Sequence, residues 1–177
     1  MDQATHQLVQ YARYHRDPRN IATHFIGVPL IVFAVAALLA RAQFDIGELT
    51  VGANWVLWAV AVGWYLKQGQ RSLALITALV LAVLVALADP LGTAPLNAWL
   101  AWSLGIFTIG WAFQFVGHFW EGRKPAFMDD LRGLLIGPLF VMAELAFALG
   151  TCRALRADIE AAAGPVQRRT PADQRPV

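Results

Sequence analysis

Three histidines stand in polar clusters whose spacing would let them share a metal ion. His15 and His24 are nine residues apart, and His118 lies far downstream. Neutral imidazole is the commonest nitrogen ligand for iron, copper and zinc. An unbroken helix would separate His15 from His24 by about 13.5 Å, too far for one ion. Asp17 and Pro18 predict a turn between them, because Asp caps helices and Pro favours a first helical turn.

Other polar side chains accompany the histidines in otherwise apolar stretches. Asn20 and His24, spaced i and i+4, share one helix face. Gln114, His118 and Glu121 also fall on a common helix face, because they are spaced by four and three residues. Glu144 lies within an apolar segment, where an acid must be paired, protonated or functional. Its structural and functional interpretations both stay open at this point.

The composition is that of a membrane protein. The chain has 177 residues, of which 58% are hydrophobic and 15% charged, and its mean hydropathy is +0.50. In a typical soluble domain, about a quarter of all residues are charged. The net charge of +2 is too small for an electrostatic nucleic-acid binder, so no nucleic-acid partner is expected. With Cys152 as the single cysteine, neither an intramolecular disulfide nor a cysteine zinc site can form.

Five hydrophobic segments predict an all-α, polytopic transmembrane helix bundle. They cover residues 21–40, 51–66, 73–88, 98–119 and 134–149. Several are shorter than the roughly 20 residues that span the hydrocarbon core as a helix. Residues 3–15 predict a short amphipathic helix before the first segment, and the polar N-terminus predicts no cleavable signal peptide.

Basic residues in the short loops predict a cytoplasmic N-terminus, since such residues tend to stay on the cytoplasmic side. This orientation places His15, His24 and His118 at the cytoplasmic side of the membrane. Five crossings would put the arginines of the C-terminal tail on the opposite side. Either the last segment re-enters at Gly137-Pro138 or a short segment does not cross, so the number of crossings stays open between four and six.

Residues 1–162 are predicted to form a single transmembrane catalytic domain. Residues 163–177 are rich in Pro, Gln and Arg, and we expect this tail to be disordered. The Ala- and Arg-rich composition favours a bacterial inner membrane over the endoplasmic reticulum. The oligomeric state cannot be read from these features.

Three functions fit a membrane bundle with clustered histidines. The first is a non-haem metal enzyme. The second is a membrane haem protein for electron transfer, with histidines from different helices as axial ligands. The third is a non-catalytic scaffold in which the histidines only form hydrogen bonds between helices.

The pattern of these residues resembles the Mpo-type family of membrane 2-hydroxy fatty acid dioxygenases. The resemblance rests on His15, Asn20 and His24 with the Gly27-Val28-Pro29 that follows, on the Gln-Phe-Val-Gly-His run of residues 114–118, and on Lys124-Pro125-Ala126. It extends from about residue 11 to residue 144 and includes the Leu-Ile-Gly-Pro-Leu-Phe run at 135–140.

This resemblance implies an Fe(II) enzyme that uses O2 to convert a 2-hydroxy fatty acid into a fatty acid one carbon shorter. It implies that His15, His24 and His118 are the catalytic residues and metal ligands. Membrane lipid, the 2-hydroxy fatty acid and O2 are the expected partners. The candidates for surrounding the cofactor and fixing the histidine tautomers are Asn20, Gln114, Glu121 and Glu144.

Overall fold

Helices make up nearly all of the regular structure in the computed structural model, which describes residues 1–170. The α-helices are α1 (Gln3–Ala12), α2 (Pro18–Ala40), α3 (Ala53–Lys67), α4 (Arg71–Ala88), α5 (Leu96–Glu121), α6 (Gly133–Ala148) and α7 (Arg153–Ala163). Short 3-10 turns occupy Asp89–Thr93 and Ala126–Met128. The predicted all-α class is confirmed, and the five hydrophobic segments correspond to α2 through α6.

One hairpin was not predicted from the sequence. Strands β1 (Gln43–Ile46) and β2 (Leu49–Gly52) pair in antiparallel register, with Ile46 opposite Leu49. Gly47 supplies the positive φ of 65° in the connection between them. The hairpin joins the end of α2 to the start of α3, so it caps the end of the bundle farthest from the histidines.

The predicted turn before the first long helix is confirmed. α1 ends at Ala12, and the Asp17 side chain accepts a hydrogen bond from the Arg19 N–H at 2.8 Å as the cap of α2. Pro18 occupies the first helical turn, where its missing N–H removes no hydrogen bond. The chain therefore reverses between two helices, and His15 lies within that reversal.

Among residues 1–170, three helices are long and apolar enough to cross a membrane. They are α2, α4 together with the 3-10 turn that extends it to Thr93, and α5. A fourth candidate is α6 with α7, if this bent pair forms one span. α3 has 15 residues, a length of about 22 Å at 1.5 Å per residue. It nevertheless runs from the hairpin end of the bundle to the end that carries α1. There the Gln68 carbonyl accepts a hydrogen bond from the Ala4 N–H of α1.

The last hydrophobic segment does not turn at Gly137-Pro138, the position considered for a re-entrant loop. α6 continues through Pro138 to Ala148, and the chain then bends by 114° into α7. Leu155 and Ile159 of α7 are buried in the same core as Leu8 of α1. The arginines of α7 thus return to the end of the bundle where the N-terminus lies, which removes the conflict in the charge pattern.

Part of the tail expected to be disordered contacts the bundle. The Gln167 N–H donates to the Arg16 carbonyl at 2.9 Å, and the Arg169 N–H donates to Asp17 at 2.8 Å. Residues 171–177, to which the same prediction applied, lie outside the described residues.

α2 packs along α5 at a glycine contact. A Cβ atom at Gly110 would lie 2.8 Å from Cγ1 of Ile31 and 3.1 Å from the carbonyl oxygen of Gly27. These separations are below ordinary van der Waals distance, so the two backbones approach this closely only because the side chain is absent. The contact sets the distance between the helices that carry His24 and His118.

We expect Gly110→Ala to lower the thermal unfolding temperature of the detergent-solubilised protein, because overpacking a tight contact costs about 1–3 kcal/mol. Gly105→Ala, in the same helix, is the matched control because a Cβ at Gly105 meets nothing within 4 Å. Alanine is the better helix former by about 1 kcal/mol, so the control should be neutral or stabilising. Equal destabilisation by the two substitutions would contradict the close packing.

Candidate metal centre

The three predicted histidine ligands meet at one end of the bundle. His15 lies in the turn between α1 and α2, His24 in the second turn of α2, and His118 in the last turn of α5. Their possible ligand atoms all lie within 4.8 Å of one another. The three residues are 0%, 1% and 5% exposed. Residues that are remote in sequence thus form a compact, buried set of nitrogen donors.

Backbone carbonyls fix the tautomers of two rings. Nδ1 of His15 is 2.7 Å from the Tyr11 carbonyl oxygen, and Nδ1 of His24 is 2.9 Å from the Asn20 carbonyl oxygen. A carbonyl only accepts hydrogen bonds, so each Nδ1 carries the proton and donates it. In the neutral rings, Nε2 is then the nitrogen with a free lone pair.

The two free lone pairs face each other. Nε2 of His15 lies 3.0 Å from Nε2 of His24. Without a proton between them, two acceptor nitrogens at this distance repel, and a shared cation removes the repulsion. Two nitrogens that each lie roughly 2.1 Å from one ion, at about a right angle, are about 3.0 Å apart. The donor set therefore fits a metal ion.

The surroundings keep His15 neutral. Burial lowers its pKa well below the ordinary 6.5, and the neighbouring His24 and His118 oppose an added positive charge. The Tyr11 carbonyl acts in the opposite direction but does not outweigh burial. The Tyr11 ring also stacks on the imidazole, with centroids 4.1 Å apart and planes within 6°. His15 is thus available as a ligand at neutral pH, and its ring is held in place.

Glu121 holds the turn that carries His15. One carboxylate oxygen accepts hydrogen bonds from the backbone N–H groups of Arg16 at 2.9 Å and Asp17 at 2.7 Å, and from the Asn20 amide at 3.1 Å. The other oxygen accepts from Nε of Arg169 at 3.1 Å. Glu121 therefore connects the end of α5 to the start of α2, and it lies outside the group of three possible ligand residues.

Asn20 contacts both His24 and the Glu121 carboxylate. Its backbone carbonyl accepts a hydrogen bond from Nδ1 of His24. Its side-chain NH2 group donates to the Glu121 carboxylate and to the Tyr14 carbonyl, each at 3.1 Å. Close packing against Gly117 of α5 brings its side chain to this position. Asn20 thus orients the His24 ring through the backbone and the turn through its side chain.

Glu144 pairs with a residue next to the site. Its carboxylate lies 3.3 Å from Nη2 of Arg16, and the two side chains are 11% and 3% exposed. The same guanidinium donates to the carbonyls of Ala12 and His15, both at 2.9 Å. The Arg16–Glu144 pair therefore supports the backbone of His15. Tyr11 and Arg16 had not been singled out for these contacts, since an aromatic ring and an arginine near a membrane surface are ordinary anchors.

A small cavity adjoins His24 and His118. It has a volume of about 60 Å³ and is lined by Tyr11, Trp111 and Gln114 as well as by the two histidines. We call it the histidine cavity. Nε1 of Trp111, Nε2 of Gln114 and Nδ1 of His118 are buried, with no hydrogen-bond partner among residues 1–170. Such groups are costly to bury alone, so the cavity is suited to a polar molecule.

We expect Glu121→Gln to lower the free energy of unfolding by about 1–3 kcal/mol, because the uncharged amide oxygen accepts more weakly from the surrounding N–H groups and the amide NH2 cannot accept from Arg169. Glu160→Gln is the matched control. Glu160 forms a surface pair with Arg156, with side chains 35% and 52% exposed, and its loss should cost less than about 1 kcal/mol. Chemical unfolding in detergent measures both variants, and an equally small effect at Glu121 would show that its hydrogen bonds do not hold the turn.

Comparison with known proteins identifies the family. The family model described as "2-hydroxy-palmitic acid dioxygenase Mpo1-like" matches residues 1–149. The curated 2-hydroxy-palmitic acid dioxygenase MPO1 of Saccharomyces cerevisiae is 35% identical over 157 residues, which cover 87% of this chain and 86% of the yeast protein. No solved structure matches the chain. The family-model match and the similarity to the yeast protein along most of the sequence show that the chain belongs to the Mpo1-like family.

Proposed function

We propose that this protein is an Fe(II)-dependent dioxygenase that converts a 2-hydroxy fatty acid into the fatty acid one carbon shorter. The observation that carries the proposal is the group formed by His15, His24 and His118, whose ligand atoms lie within 4.8 Å of one another. The name of the yeast relative supplies the substrate class. The choice of iron rests on its ability to react with O2 while bound to a few protein ligands with open positions.

The proposed reaction needs no further reductant. Breaking the C1–C2 bond of a 2-hydroxy acid, with C1 leaving as carbon dioxide and C2 becoming a carboxyl group, releases the electrons that reduce one O2. The products are the shortened acid, carbon dioxide and water.

The protein's own residues have three tasks in this reaction. The histidines would hold the iron, which supplies O2 activation when bound. The carbonyls of Tyr11 and Asn20 keep the Nδ1 protons in place, so that Nε2 of His15 and of His24 stays a ligand. The apolar helices around the site exclude water and favour the alkyl chain of the substrate over a polar one.

The geometry disfavours the two other functions considered from the sequence. A haem requires imidazoles on opposite faces of a macrocycle, whereas Nε2 of His15 and Nε2 of His24 are 3.0 Å apart. The ring centroid of His118 lies 4.8 Å from that of His15 and 5.3 Å from that of His24. A scaffold would use histidines as hydrogen-bond donors between helices, but these rings direct free lone pairs toward each other.

We place the site at the cytoplasmic side of a bacterial inner membrane. Basic residues cluster at the end of the bundle that carries the histidines: Arg13, Arg16, Arg19, Lys67, Arg71, Arg123, Lys124 and Arg132. The opposite end, with the β-hairpin and the 3-10 turn Asp89–Thr93, carries Arg41 alone among residues 41–97 outside α3 and α4. This asymmetry follows the preference of basic loops for the cytoplasm.

Iron and turnover test the function. We expect the purified protein to bind iron and to shorten 2-hydroxypalmitate in the presence of O2, and His24→Ala and His118→Ala to lose both properties by at least tenfold. His6→Ala is the matched control, since His6 is exposed and remote from the trio. Elemental analysis measures the metal, and mass spectrometry measures the product. Full iron content in both His24→Ala and His118→Ala would refute the site.

Cysteine labelling tests the orientation. In a Cys152→Ser background, Glu48→Cys in the hairpin connection and Lys67→Cys at the end of α3 both present exposed positions. A membrane-impermeant maleimide should label residue 48 in spheroplasts, and residue 67 only in inverted vesicles. The reverse pattern would place the histidines at the periplasmic side.

A further inference from the structure

A second, larger cavity adjoins the histidine cavity on the side of the bundle interior. It has a volume of about 370 Å³ and lies between α2, α3, α4, α5 and α6. We call it the apolar cavity, because aliphatic and aromatic side chains form nearly all of its wall. The two cavities share five lining residues: Ile31, Val32, Trp111, Leu134 and Pro138. They are therefore neighbours separated by one layer of side chains.

The two cavities differ in the chemistry that they offer. Trp111 and Gln114 line the histidine cavity, and their side-chain N–H groups are buried without a hydrogen-bond partner among residues 1–170. These groups are donors, so they complement an acceptor such as a carboxylate. The apolar cavity instead gains free energy from an occupant without polar atoms.

The basic side chains near the site do not supply the same contact. Arg16 pairs with Glu144, Arg19 with Asp17, and Lys124 with Asp129. Arg123 donates to the carbonyl of Arg13 at 3.2 Å. Because these cations are engaged in this way, the N–H groups of Trp111 and Gln114 remain as unpartnered donors in the wall of the histidine cavity.

We propose that the two cavities form one substrate site for a long-chain 2-hydroxy acid. The carboxylate accepts hydrogen bonds from Nε1 of Trp111 and Nε2 of Gln114, and the alkyl chain occupies the apolar cavity. This proposal rests on the proposed function and adds the residues that bind the substrate's head and tail.

The apolar cavity also has a defined floor. Along α2 its lining residues extend from Ile31 to Leu39, about 12 Å of helix. At the far end it reaches Asn54, whose amide donates to Asp89 at 2.6 Å. A polar pair at this depth is unfavourable for further methylene groups. The distance from the histidines to this floor therefore limits the chain length of the substrate.

Substitutions in the cavity wall test the position of the tail. Ala61 lines the apolar cavity, whereas Ala59, two residues earlier in α3, is exposed on the outer surface. Each buried methylene contributes about fourfold to binding. Ala61→Leu should therefore lower kcat/KM for 2-hydroxystearate by roughly tenfold or more relative to 2-hydroxydecanoate. Ala36→Leu, near the floor, should act in the same direction, and Ala59→Leu should leave the ratio unchanged.

Loss of the two donors tests the position of the head. Trp111→Phe and Gln114→Leu keep the approximate shape and remove the N–H groups. Each should weaken binding of 2-hydroxypalmitate to the iron-free protein about tenfold or more, because a hydrogen bond to a charged group is lost. Binding of hexadecanol, which has the same alkyl chain without a carboxylate, should not change. Equilibrium dialysis in detergent measures both ligands.

The results separate this inference from the proposed function. If the variants weaken binding of 2-hydroxypalmitate but the wild-type protein does not turn it over, the dioxygenase activity is refuted and the substrate site is retained. The substrate site would be overturned by two results together. Ala61→Leu and Ala36→Leu would turn over substrate with an unchanged ratio of kcat/KM between 2-hydroxystearate and 2-hydroxydecanoate. Trp111→Phe and Gln114→Leu would bind 2-hydroxypalmitate as tightly as the wild-type protein does. A phospholipid that copurifies in stoichiometric amount and is not displaced by 2-hydroxypalmitate would also overturn the substrate site.

Discussion

The carboxylate of Glu121 is the contact on which the geometry of the site depends. It accepts backbone hydrogen bonds from Arg16 and Asp17 and a side-chain bond from Asn20, and it is only 1% exposed. An acid at the C-terminal end of a helix is disfavoured by the helix dipole. The donors around Glu121 offset that cost, and in return the carboxylate holds a backbone turn that no local interaction would fix so firmly. His15 reaches His24 because of this turn.

The packing of α2 against α5 is the second constraint on the positions of the histidines. Gly110 of α5 meets Gly27 and Ile31 of α2, and Gly117 of α5 meets Asn20. These contacts bring two long helices close over the length that separates the histidines from the middle of the bundle. Packing between helices therefore positions His118, whereas polar contacts in a turn position His15. A change in the helix packing or in the turn would alter the arrangement of the three histidines, the first by moving His118 and the second by moving His15.

The sequence predicted the parts of this structure that depend on local patterns. The five apolar segments, the turn at Asp17 and Pro18, and the candidate trio of histidines all follow from residue type and spacing. The hairpin at residues 43–52 was missed because its strands are short and exposed on both faces, without the alternation that indicates a strand. The partners of Glu121 and Glu144 could not be predicted, because they are backbone N–H groups and an arginine brought near by folding.

The arrangement of polarity along the bundle links the fold to the chemistry. Polar groups that have partners surround the histidines on the side of the turn and the tail: the Glu121 carboxylate, the Arg16 guanidinium and the side-chain N–H groups of Asn20. Trp111 and Gln114, whose N–H groups have no partner among residues 1–170, line the histidine cavity on the other side. A folded protein retains buried donors without partners at a cost, since each loses its hydrogen bonds to water. The cost is removed when an acceptor enters between the histidines and the apolar helices, and a carboxylate attached to an alkyl chain satisfies both neighbours at once.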